Sequence, residues 1–128
     1  MKKLMLTTST FLLGVAVLLG AVGAHALKHK ISPEALGTFE TGVRYFLVHA
    51  AALMTMGFQE HFIQEKVGLF TLKIFLGLIF IGLICFSGGC MMYAVTGIKT
   101  FAHMAPIGGM SFIFAWFFLS FNFWKKMH

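Results

Sequence analysis

Apolar residues run through this chain in long blocks, not in alternation, and short polar interruptions separate the blocks. Leu4 to Ala24 supplies 21 residues without a charge, and Ile74 to Ile98 and Thr100 to Trp124 supply 25 each. A helix crossing hydrocarbon needs about 20 such residues, so each block predicts one membrane span. Between the first and second blocks, Ser32-Pro33-Glu34 is a helix-start signal: a capping hydroxyl, a proline at the first helical position and an acid in the first turn. The charge-free stretch that follows, Tyr45 to Phe58, has only 14 residues, so a span there must draw Glu40 to Arg44 into the membrane interface. The expected architecture is all-α, a single integral-membrane four-helix bundle over 1–128, with spans at about 4–26, 39–58, 72–97 and 101–124.

Composition removes most alternatives. The 128 residues are 59% hydrophobic and 11% charged, whereas soluble domains carry roughly 25% charge. A soluble globule, a disordered tail and a nucleic-acid binder all need more polar surface than this. The net charge of +6 comes from ten Lys and Arg against four Glu, and the basic residues are scattered at the ends of the apolar blocks, where they meet headgroups. Lys2 and Lys3 before an apolar run, with Ala24-His25-Ala26 after it, resemble a cleavable signal peptide, but a 21-residue run exceeds the usual core of about 7–15 and is read as a retained span. With the N-terminus in the cytoplasm, six basic residues fall inside (Lys2, Lys3, Lys66, Lys73, Lys125, Lys126) and four outside (Lys28, Lys30, Arg44, Lys99). The bias predicts a multi-pass inner-membrane protein with both termini cytoplasmic.

Spans in lipid associate by close backbone approach, so small residues mark candidate seams. Gly20 with Ala24 forms such a step in the first span, Gly88-Gly89 in the third, and Gly108-Gly109 in the fourth, where Pro106 predicts a kink or a late helix start.

Ionisable and polar groups inside a membrane are costly and mark candidate sites. Glu40 and Arg44 stand at i and i+4 with the acid first, the spacing of an intrahelical ion pair. His25, His49 and His103 all fall in the outer half of the predicted membrane, which raises a haem or metal site between helices; no two have ligand spacing on one helix and no CxxC or HExxH occurs. No metal ligand set or cofactor is therefore assigned. Nucleophilic catalysis has no support, because no G-x-S-x-G is present and no Asp exists to orient a base. Ser87 is expected to bond its own helix or a neighbouring one. Cys85 and Cys90, about 140° apart on a helix, cannot bridge each other, and the nine Met residues form no ligand stripe. Trp116 is expected to face lipid or pack, and Trp124-Lys125-Lys126 to anchor the last span at the interface.

Four motifs in order carry a family resemblance: Gly20-Ala21-Val22-Gly23-Ala24-His25-Ala26-Leu27; Phe39-Glu40-Thr41-Gly42-Val43-Arg44-Tyr45 with His49-Ala50; Phe86-Ser87-Gly88 with Thr96-Gly97; and Pro106-Ile107-Gly108-Gly109. Over nearly its whole length the chain resembles the bacterial membrane family called domain of unknown function 423, to which mitochondrial transmembrane protein 256 looks related. The resemblance implies four spans in the inner membrane and no assigned activity. His25, Glu40, Arg44, Tyr45, His49, Ser87 and Pro106 match the family pattern, whereas His103 lies outside it. Phe46 replaces the family's usual Gln, and Gly89-Cys90-Met91 replaces Ser-Leu-Tyr.

The leading functional expectation is a non-catalytic structural or accessory membrane subunit, with His25, Glu40, Arg44, Tyr45, His49 and Ser87 as a polar cluster near the outer ends of the first two helices. The alternatives are a small-molecule, lipid or ion binder or transporter using the same cluster, and a haem or metal protein. The expected partners are the bilayer and a second copy or a membrane-complex subunit, with no nucleic acid.

Overall fold

A computed structural model describes residues 1–127, and every regular element among them is helical. Five rods follow the chain: α1 (Lys2–Leu27), α2 (Pro33–Phe58), α3 (Glu60–Val67), α4 (Leu69–Thr96) and α5 (Lys99–Lys126). α1, α4 and α5 are long and apolar enough to cross a membrane, with mean hydropathies of 2.0, 2.5 and 1.6. α2 has 26 residues but carries Glu34, Glu40 and Arg44 in its first half, and it does not meet the same standard.

Local chemistry sets the breaks. Ser32 Oγ accepts a hydrogen bond from the Ala35 N–H at 3.1 Å, and Pro33 opens α2 where a missing N–H costs nothing. Gly68 and Gly97 both have positive φ, 88° and 69°, so α3 and α4 end where only glycine turns without strain. α5 runs unbroken through Pro106, its eighth residue, so the late helix start expected there does not occur. Two stretches widen into π-helical turns, Val22–Leu27 at the end of α1 and Leu83–Gly88 in the middle of α4.

The short α3 falls in what the charge pattern marks only as a connection. Ile63 and Val67 stand one turn apart, both buried together with Glu60 at the start of the same face, while His61 and Glu65 are exposed and Lys66 is partly so, and this spacing folds the turn against α4 and α5.

α2 is the hub. One side packs along α1, and the other packs on the second half of α4; α4 and α5 pack along each other, while α1 rests essentially on α2. The core lies among α2, α3, α4 and α5, around Leu53, Val67, Leu72, Phe75, Ile79, Phe112 and Ala115, with Met5 of α1 joining it. Glycines set the closeness of these contacts. A Cβ on Gly42 would stand 2.8 Å from the Ser87 carbonyl oxygen, and one on Gly108 would overlap the Phe86 backbone, so α4 is touched backbone to backbone from two sides at its π turn.

Candidate functional site

His49 is the most deeply enclosed ionisable side chain of α2, 4% exposed and facing α4 and α5. Its ring lies flat on Phe112, centroids 3.7 Å apart and planes within 13°. Trp116, one turn further along α5, donates its indole Nε1–H to His49 Nε2 at 3.1 Å. Indole nitrogen is only ever a donor, so Nε2 is bare and the ring proton sits on Nδ1. That nitrogen lies 2.7 Å from the Tyr45 carbonyl oxygen and donates to it.

Aromatic side chains from three helices complete the node. Tyr45 meets the edge of Phe86 at 4.8 Å, and Phe75 of α4 meets Trp116 edge-on at 5.1 Å. One imidazole therefore joins α2 to α5 by a hydrogen bond and a stack, with α4 closing the side. A buried hydrogen bond between helices in lipid contributes about 0.6–2 kcal/mol, and an aromatic pair about 0.5–1.5 kcal/mol beyond its buried area.

The expected cluster is divided. His49 and Tyr45 belong to this node, whereas His25, Glu40 and Arg44 are exposed on the outer surface of α1 and α2. Glu40 and Arg44 do not form the expected ion pair: the only ion pair among the described residues joins Lys66 to Glu65 at 3.6 Å. Both instead border a hollow of about 190 Å³ between α1 and α2, floored by Leu19, Gly20, Gly23, Phe39 and Val43. A second hollow, about 180 Å³, lies on the other side of Arg44 against Tyr45, Val48 and His49.

Ser87 is fully buried, and its hydroxyl has no hydrogen-bond partner, contrary to the expected bond. It sits in the π turn of α4, where backbone pairing is offset by one residue and the carbonyl a helical serine normally reaches is displaced.

The small residues also separate. Gly89 faces the Phe101 carbonyl and Gly109 the Phe86 ring, at 2.9 and 3.4 Å from where their Cβ atoms would be, and Gly108 meets the Phe86 backbone. Gly20 has nothing within 4 Å, Ala24 is exposed, and Gly88 meets only its own helix, so these three make no seam within the chain. The close approach in α1 belongs to Gly23, where a Cβ would stand 3.1 Å from the Phe39 ring.

Trp116 and Phe112 are the functional neighbours that sequence reasoning did not assign. A signal existed: the two are spaced i, i+4 on one helical face, and an indole N–H within hydrocarbon requires an acceptor. Asn122 and Ser111 follow the same rule. Asn122 approaches Thr71 at 3.5 Å and donates to the Phe118 carbonyl, and the Ser111 hydroxyl donates to the Leu78 carbonyl at 2.7 Å.

Both nitrogens of His49 are engaged, so it offers no lone pair to a metal or haem iron without breaking the Trp116 bond. Among the described residues, no three His, Cys, Asp or Glu side chains converge as a metal site.

Comparison with known proteins finds relatives that are membrane proteins. The family described as Protein of unknown function (DUF423) matches residues 19–109. The chain is 36% identical over 103 residues to the UPF0382 membrane protein YwdK of Bacillus subtilis, covering 80% of each chain. It is 30% identical over 104 residues to the UPF0382 inner membrane protein YgdD of Escherichia coli, covering 80% of this chain and 75% of the relative. No solved structure is significantly similar.

Proposed function

Because the chain belongs to the DUF423 family of membrane proteins, we propose that it is a non-catalytic, four-span accessory protein of the inner membrane, with both termini in the cytoplasm. α2 is the fourth span: its 26 residues reach about 39 Å at 1.5 Å per residue, and it lies along α1, which is apolar enough to cross. The observation that carries the non-catalytic reading is the His49 node. The most buried imidazole spends both nitrogens on protein partners and its face on Phe112, so it ties helices together and has neither a proton nor a lone pair for a substrate. The site is internal, the pattern of a scaffold that presents its outer faces to other membrane components.

Purification from native membranes in mild detergent, followed by mass spectrometry, tests the accessory role. A protein partner in fixed stoichiometry is the expected result. A chain that elutes only with copies of itself, and that conducts a solute in vesicles, would overturn it.

A further inference from the structure

We propose that Glu40, Arg44 and the hollow beside Gly20 form a binding site for one phosphatidylethanolamine molecule of the bilayer. Glu40 and Arg44 stand one helical turn apart on an exposed face of α2, and among the described residues neither side chain has a hydrogen-bond or ion-pair partner. Charges of opposite sign near hydrocarbon need counter-charges, and the headgroup of this lipid carries both: a phosphate for the guanidinium and a primary ammonium for the carboxylate. A turn of helix places the two Cβ atoms about 5–6 Å apart, comparable to the span of a phosphate and an ammonium joined by two carbons. Helical side chains lean toward the helix N-terminus. In α2 that is the end beside the turn bearing Lys28 and Lys30, so both charges lean toward the headgroup layer.

Specificity follows from the pair. A purely anionic headgroup meets repulsion from Glu40, and a choline headgroup has no N–H to donate to it. Below the charges, the missing Cβ of Gly20, with nothing within 4 Å, leaves a channel of about 190 Å³ along Leu19, Val43 and Leu47 for the first part of an acyl chain.

The site rests on α2 being a membrane span, so its test carries an independent check of that reading. The full chain, purified in mild detergent, is titrated with ethanolamine, choline and glycerol phospholipids of identical acyl chains and read by native mass spectrometry. Ethanolamine lipid is expected to bind about tenfold more tightly than either of the others, the effect of about 1.4 kcal/mol from one charge-assisted hydrogen bond. Glu40→Gln abolishes the preference over choline lipid, Arg44→Gln weakens all three, and Gly20→Leu fills the channel and removes the adduct without lowering the melting temperature. Equal binding of all three lipids, preference for the glycerol lipid, or preference surviving Glu40→Gln would each overturn the site. In a chain with Cys85→Ala and Cys90→Ala, Val48→Cys that resists a water-soluble maleimide while Ala35→Cys reacts keeps the span reading intact. Labelling of both would remove the span reading, and the lipid site with it.

Discussion

Two stretches of α2, within about three turns of each other, treat polarity in opposite ways. At His49 the polar atoms turn inward, and each meets a protein partner: a carbonyl on its own helix, an indole on α5 and an aromatic face. At Glu40 and Arg44 the charges face outward, and among the described residues neither has a hydrogen-bond or ion-pair partner. The difference follows from what each group can exchange. A neutral imidazole with two nitrogens is satisfied by one donor and one acceptor, both of which a helical bundle supplies. Full charges need counter-charges and an outlet to the interface, and the headgroup layer supplies these at lower cost than an apolar core does. One helix therefore serves as a core element on its inner face and, on the proposed reading, as a lipid-facing element on its outer one.

The contrast can be broken most severely where the helices touch through their backbones. Gly108→Leu drives a side chain into the Phe86 backbone and is expected to cost at least about 3 kcal/mol, seen as loss of the monodisperse peak in detergent. Next, His49→Ala removes the stack, both hydrogen bonds and buried volume, for about 2–4 kcal/mol, read from thermal unfolding monitored by tryptophan fluorescence. Trp116→Phe keeps the ring but removes the donor, and is expected to cost about 1 kcal/mol. In a double-mutant cycle the two substitutions should couple by about 0.5–2 kcal/mol, whereas His49 and Glu40 should be additive. At the small end, Gly20→Leu is expected to change stability by less than about 0.5 kcal/mol, because the added side chain enters open space. A large loss there would mean that α1 packs against something other than lipid.

The sequence makes the rods legible because a bilayer forces them. Uninterrupted apolar blocks mark α1, α4 and α5, and Ser32-Pro33-Glu34 marks the true start of α2, which begins at Pro33 although the predicted span starts only at 39. α3 is not legible in the same way: its buried face holds only two apolar residues, Ile63 and Val67, beside a buried Glu60, too short a run for periodicity to register. At the site, the polar residue types are visible in the sequence but their partners are not. Glu40 and Arg44 have the spacing of an ion pair, yet spacing does not decide whether long side chains meet each other or the headgroup layer. His49 and Trp116 are 67 positions apart, and helix order and rotation bring them together. An all-apolar helix has no polar face from which rotation can be read, and the rotation of α5 is fixed by Gly108 against Phe86 and by Phe112 against His49. Gly20 with Ala24 misleads for the same reason. A small-residue step permits close approach, but here α1 is turned so that Gly23, not Gly20, meets α2.

The central claim is that His49 is a neutral helix-to-helix link, and its ring tautomer tests this most directly. Nitrogen-15 NMR of histidine-labelled protein in bilayers, assigned by comparison with His49→Ala, should show the proton on Nδ1 and a bare, hydrogen-bonded Nε2, and Trp116→Phe should shift the Nε2 signal alone. A proton on Nε2, or an Nε2 signal indifferent to Trp116, would contradict the account.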